Sequence, residues 1–296
     1  MELTFRHITG LAPTVIRTTI LVIRETRIRT RGKWRPEILT VICSVITNLT
    51  ITRTTATHFK IRIGPMANRN TEAQFREAIR TVDLDFKPGT KIEYSNFGMD
   101  VLGYLLSAKA GTDYEAYIKR EVCEPLGLHD TTVTLTQDQA GRFAQGYAWA
   151  RRKDAVLKVA DSDPWDLPNY LAGSGALRST VADMLKYLEL NMHPAGSLGS
   201  AVRASHSELF HEKDGFAIGM NWVRSPSKSL GTVIWHNGEM GGASSYLGFT
   251  EDGRAGVVIL SNVGSDDVDD LAWAILRELK QPATVPSVSD HASANP

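Results

Sequence analysis

Apolar residues recur at helical spacing in several stretches of this chain. Phe75, Ala78 and Ile79 mark a helix over 71–81, with Thr71 placed to cap it. Met99, Val101, Leu102, Leu105 and Leu106 mark a second helix over 98–110, which reads as buried and is closed by Gly111. Tyr114, Tyr117, Ile118 and Val122 form a stripe that Asp113 caps and Pro125 stops. Thr180 and Asp183 have capping-box spacing, with Asp in place of Glu or Gln, and Met184, Leu185 and Leu188 supply the face behind them. In the last third the period changes. Residues 216–224, 231–236, 244–249 and 255–261 read as the strands of a meander. Asp252-Gly253 between the last two is a strong hairpin signal. Val268, Leu271, Ala272, Ile275, Leu276 and Leu279 then form an amphipathic helix able to cover that sheet. Residues 131–170 look irregular, with short strands expected at 144–150 and 155–159.

The ends of the chain follow neither period. The first 60 residues hold 14 Thr, mixed with Arg and Ile. Residues 21–31 alternate in part like an edge strand, 38–46 is a short apolar run, and 49–57 is rich in β-branched residues. Three readings stand for 1–70: a diverged or non-native segment, a set of short strands, or a basic arm that binds nucleic acid. The compositional bias fits the first best, and aromatics are too sparse among the arginines for a single-strand binding platform. Residues 281–296 are rich in Pro, Ser, Ala and Asp and are expected to form a disordered tail. The folded domain is therefore expected over 71–280.

Charge sharpens that division. Net charge is zero, yet residues 1–82 carry 14 Lys and Arg against 5 Asp and Glu, and no Asp precedes Asp83. The two cysteines, Cys43 and Cys123, form no disulfide framework and show no metal-ligand spacing, so no metal and no cofactor are expected. No apolar run reaches about 20 residues, so no membrane span is expected. The apolar stretch 11–23 is broken by Arg17 and makes a poor signal peptide, and the compartment is left open.

Two short motifs carry the chemistry. The first is Lys87-Pro-Gly-Thr-Lys-Ile-Glu-Tyr94-Ser95-Asn96-Phe97-Gly98, where an extended run meets a helix start. Side chains at such a corner point into clefts, beside free backbone N–H groups. The second is Trp235-His236-Asn237-Gly238-Glu239, followed by Gly241-Gly242-Ala-Ser-Ser-Tyr246. With Glu124-Pro125-Leu126-Gly127-Leu128 and Ala172-Gly-Ser-Gly-Ala-Leu177-Arg-Ser179-Thr180 between them, the chain over 87–262 resembles the serine β-lactamase, DD-peptidase and family VIII esterase superfamily, in its class C-like branch.

That resemblance implies an α/β (α+β) fold of the β-lactamase/transpeptidase type: an antiparallel sheet flanked by helices, plus a helical region holding Tyr94. It implies a small-molecule or peptide substrate and hydrolysis of an amide, β-lactam or ester through an acyl-enzyme. It assigns catalytic roles to Tyr94 and His236, and substrate contacts to Asn96, Asn237, Gly238 and Glu239. The Glu239 backbone N–H would be an oxyanion donor. Tyr94 and His236 are expected to share one pocket. Phe5-Arg6-His7-Ile8-Thr9-Gly10-Leu11 looks like a shortened form of a family segment that follows the nucleophile helix.

The nucleophile itself is not found. A serine needs a neighbouring base to take its proton. The only Ser-x-x-Lys is Ser225-Pro226-Ser227-Lys228, which lies between two expected strands and contains proline. Ser44 is followed three residues later by Thr47, not Lys. Two main readings of function follow: a truncated or impaired serine hydrolase, or a non-catalytic ligand-binding relative. Nucleic-acid binding through the basic segment is a third and weaker one.

Overall fold

The structure, a computed structural model, describes residues 18–24, 26–30, 33–37, 71–151, 157–162, 165–211 and 215–280. Most of the segment 1–70, with Ser44, and the tail 281–296 lie outside the described residues.

The centre is a seven-stranded antiparallel sheet, and its strands come mostly from the last third of the chain. In chain order the elements are β1 (Thr18–Arg24), β2 (Thr26–Thr30), β3 (Lys33–Glu37), α1 (Glu72–Thr81), α2 (Asn96–Ala110), α3 (Tyr114–Ile118), α4 (Glu124–Leu126), α5 (Gln137–Arg142), β4 (Gly146–Arg151), β5 (Leu157–Ser162), α6 (Val181–Met192), α7 (Gly199–His206), β6 (Phe210–His211), β7 (Ala217–Ile218), β8 (Val223–Ser227), β9 (Gly231–Met240), β10 (Ala243–Thr250), β11 (Ala255–Ser261), β12 (Val263–Gly264) and α8 (Asp267–Lys280). The sheet order is β1-β11-β10-β9-β8-β7-β6, with β1 an edge strand paired to β11. The pair β2–β3 and the group β12-β4-β5 form two smaller sheets.

Both faces of the large sheet are covered, which is why β10 and β11 are almost continuously buried. On one face Met184, Leu188 and Met192 of α6 pack against Trp222, Ile234, Leu247, Phe249 and Val258. On the other, Val268, Ala272 and Leu276 of α8 pack against Leu230, Val233, Tyr246, Val257 and Ile259. A third cluster joins Phe75 of α1 to Tyr114, Leu167, Leu171, Ala172 and Ala176.

The helix signals in the sequence act as caps. Thr71 and Gln74 form a full capping box at α1. Ser95 accepts the Gly98 N–H at 3.0 Å, so α2 begins at Asn96, and Gly111 closes it with φ 68°. Thr180 accepts the Asp183 N–H at α6, but the Asp183 carboxylate turns away, to Asp130 N (2.7 Å) and Thr131 Oγ1 (3.0 Å). The expected capping box is thus half present, and its acid instead ties α6 to the chain after α4.

Three expectations are corrected. The strand read at 216–224 is two, β7 and β8, because Asn221 takes φ 65° and the Gly219 N–H bonds Trp222 O in a turn between them. Pro125 does not stop the third helix. A π-helical turn at Lys119–Cys123 passes into α4, where proline sits in the first turn, and Gly127 at φ 63° ends it. Finally, α2 is not buried all round. It buries Met99, Asp100, Gly103 and Ser107, while Leu102 and Leu105 face outward. Its packed side is the one where small residues let the 3₁₀ segment Asn169–Ser174 approach the backbone. Among the described residues no helix is long and apolar enough to cross a membrane.

Candidate active site

A cavity of about 470 Å³ opens where the N-terminal end of α2 faces β9 and β10. Tyr94, just ahead of the cap residue Ser95, and Asn96, the first residue of α2, supply one wall. Gly238, Glu239 and Met240 at the end of β9, with Ser244 and Ser245 of β10, supply the opposite one. Residues 174–181 close a third side, and Phe143 and Trp165 stand among the remaining lining residues. Tyr94 is 56% exposed, so its phenol edge is open to solvent and to a ligand.

The second motif divides between the two faces of β9, because side chains alternate along a strand. His236 lies on the face of Ile234 and Gly238 and is buried, two residues short of the lining, with Nδ1 2.5 Å from Asn237 O. Asn237 turns to the other face, where its Nδ2 donates to Asp269 Oδ2 at 2.7 Å. Thus Tyr94, Asn96, Gly238 and Glu239 come together at the cavity, and His236 and Asn237 do not line it.

The electrostatics follow from burial. Asp269 is pushed up to about 6, by burial first, with Asp266 and Asp270 adding to it and Asn237 opposing. Glu239 presents a carboxyl as well as its backbone. Burial, then the Asp266 charge, raises its pKa. That carboxyl lies over Gly264, where an added Cβ would come within 2.8 Å of Oε1. The two lining arginines are each paired: Arg142 with Asp130 (2.7 Å) and Asp138 (3.0 Å), Arg178 with Asp166 (2.6 Å). Arg178 also stacks over the Phe143 ring at 5.6 Å.

The lining serines are all engaged. Ser244 Oγ donates to Val263 O and accepts the Ser265 N–H. Ser245 Oγ donates to Gly238 O (3.2 Å), and Ser179 Oγ sits 2.8 Å from Thr131 Oγ1. Among the described lining residues there is no lysine and no histidine, so no amine or imidazole stands ready to take a serine proton. The Ser225–Lys228 match sits at the end of β8, where Ser225 Oγ accepts the Trp235 indole N–H at 3.0 Å. Among the described residues no group of His, Cys, Asp and Glu is arranged to hold a metal ion.

The wall formed by 174–181, with Arg142, Phe143 and Trp165, lies outside the site residues that the sequence motifs mark. The signal was there in Gly173-Ser174-Gly175-Ala176-Leu177-Arg178-Ser179-Thr180, a run whose small residues bring backbone close to a ligand.

The family model described as Beta-lactamase matches residues 54–280. The chain is 26% identical over 231 residues to a protein named Beta-lactamase from Pseudomonas fluorescens, covering 66% of this chain and 62% of that one. It is 25% identical over 217 residues to Protein flp of Staphylococcus aureus strain N315, covering 71% of this chain and 42% of that one. The chain therefore spans less than two thirds of the length of either relative. Among solved structures, a Pseudomonas syringae protein titled β-lactamase/D-alanine carboxypeptidase superposes with a TM-score of 0.63 at 15% identity, over 90% of this chain and 94% of that one. A class C β-lactamase superposes with a TM-score of 0.62 at 20% identity, over 72% of this chain and 64% of that one. These likenesses establish the fold, and the family match, which runs through both walls of the cavity, settles the lineage: the chain belongs to the β-lactamase family.

Proposed function

We propose that the cavity is a ligand cleft for a small amide, β-lactam or ester, and that this chain binds such a ligand without forming a serine ester. The observation that carries the reading is the meeting of Tyr94 and Asn96 with Gly238, Glu239, Ser244 and Ser245 across one cavity. The names of the relatives, β-lactamase and D-alanine carboxypeptidase, supply the ligand class. Asn96 offers an amide to a ligand carbonyl, Glu239 N–H offers a donor to its oxygen, and Tyr94 offers a phenol. His236 and Asn237, held elsewhere, stand outside this reading. Acylation needs a hydroxyl with a base beside it, and the lining serines have carbonyl, hydroxyl or backbone N–H partners instead.

Incubation of the purified chain with a fluorescent penicillin tests both halves. Binding should be saturable and reversible, with no mass increase in intact-mass spectrometry. Asn96→Ala should weaken it about tenfold, the effect of losing one well-placed hydrogen bond. A persistent mass gain equal to the opened penicillin overturns the non-acylating half. Absence of saturable binding overturns the cleft.

A further inference from the structure

Asp100 is the most deeply buried carboxyl in the neighbourhood of the cleft, at 0% exposure, six positions along from Tyr94. Its Oδ1 accepts the backbone N–H of Ser174 at 2.8 Å, and its Oδ2 is buried with no hydrogen-bond partner. Ser174 belongs to the cavity lining. The contact lies in a very close approach of two backbones. A Cβ added at Gly173 would come within 2.2 Å of Met99 O, and one added at Gly103 within 2.9 Å of Gly173 Cα. Directly after Ser174, Gly175 takes φ 146° and turns the chain along the cavity.

We infer that Asp100 is a positioning residue: it ties the wall of the cleft that carries Tyr94 and Asn96 to the wall that begins at Ser174. The inference rests on the cavity being a ligand cleft. Asp100 touches no ligand itself. It fixes where the 174–181 wall starts relative to the start of α2, and so the width of the cleft between them.

The protonation state of Asp100 decides whether the tie holds without strain. Burial pushes its pKa up to about 8, with the Ser174 bonds opposing. At neutral pH it is a neutral acid, which suits an oxygen with no partner. Above about 8 it becomes a buried anion whose Oδ2 has no partner and whose opposing bonds all come from Ser174, and the wall must move to let water in. The other groups nearby do not supply a counter-charge. Tyr114 of α3 faces Asp100, and its phenol is held far above the usual range, by burial and then by the Asp100 charge. Tyr170 of the 3₁₀ segment packs against the Phe75 ring. Glu115 of α3 is taken up by Lys119, Thr132 and Thr134.

Two measurements at pH 7 and pH 9 test this on the wild type, Asp100→Asn and Asp100→Leu. Amide hydrogen exchange over 171–177, corrected for the intrinsic pH effect, needs no ligand. Fluorescent-penicillin affinity reads the cleft. In the wild type both protection and affinity should fall about tenfold from pH 7 to pH 9, as the neutral form is depleted. Asp100→Asn keeps a neutral acceptor for Ser174 N–H and should remove that fall. Asp100→Leu should lose protection at both pH values. The same pH dependence in wild type and Asp100→Asn overturns the inference, as does full protection in Asp100→Leu. If the wild type binds no penicillin at either pH, the ligand reading fails, and the exchange result alone decides the role of Asp100.

Discussion

Gly173→Ala should destabilise the protein by about 3 kcal/mol, the upper part of the usual range for forcing atoms into a packed interior. The added Cβ would lie 2.2 Å from Met99 O, 2.9 Å from Met99 C and 3.2 Å from Asp100 Cα. All three are backbone atoms of α2, so no rotamer change can relieve the clash. The 3₁₀ segment has to back away from the helix, which stretches the 2.8 Å bond from Ser174 N–H to Asp100 and widens the cleft. Gly111→Ala is the control. Gly111 sits at φ 68° with nothing near its would-be Cβ, so only the left-handed backbone cost of about 1 kcal/mol applies. Urea denaturation followed by tryptophan fluorescence gives both values. If Gly173→Ala costs no more than Gly111→Ala, the contact between α2 and the 3₁₀ segment is looser than these distances require.

The helices and strands that were legible in the sequence are those whose own residues set them. Thr71 with Gln74, Ser95 before Asn96, and Gly111 after Ala110 close their own hydrogen bonds locally, so their helices can be read without a fold. Strands β9, β10 and β11 were legible because short apolar runs are separated by turn signals, Gly241-Gly242 before β10 and Asp252-Gly253 after it. The turn at Gly219 and Asn221 was not, because it is imposed by tertiary contact: Met220 N–H bonds Ser205 O, and a Cβ at Gly219 would lie 2.3 Å from the same oxygen. The site divides in the same way. Tyr94, Asn96, Gly238 and Glu239 were legible as motif residues and meet at one cavity. The motif could not reveal that Asn237 turns to Asp269, since that depends on which face of β9 meets α8. Nor could it reveal Asp100. Between Met99 and Val101 it reads as an ordinary polar position on a helix, and only the approach of residues 169–174 encloses it.

Asp100→Asn should gain about 4 kcal/mol of stability relative to the wild type as pH is raised from 4 to 7, the linkage expected when a carboxyl is held protonated across about three pH units. In the unfolded chain Asp100 loses its proton above its ordinary value of 3.8, and in the folded chain it keeps it to about 8. Between those values the native state binds the extra proton, so raising pH favours unfolding. The Asp100 contribution is complete below 3.8, is lost progressively to about 8, and is constant beyond. Asparagine does not titrate, so it removes this slope whatever fixed cost its second amide proton carries. The comparison with the variant is needed because other groups act in the same range. Burial, and then the Arg224 charge, lowers His206 to about 4, which makes the fold more stable as pH rises from 4 to 6.5. Asp269, at about 6, acts in the same sense as Asp100 over the lower half of the window. Glu115 governs the acid limb. Burial would raise it, but its bonds from Lys119, Thr132 and Thr134 prevail and hold it at about 2, so its stabilisation is present above 4.5 and lost as pH falls toward 2. Between pH 6.5 and 8 Asp100 is still titrating, and its own contribution to wild-type stability should fall by about 2 kcal/mol there. Urea denaturation of both proteins at pH 4, 5.5, 7 and 8.5 measures the gap. A gap that stays constant across the series would mean that Asp100 is ionised in the folded protein at neutral pH, and that its second oxygen has found a partner in solution.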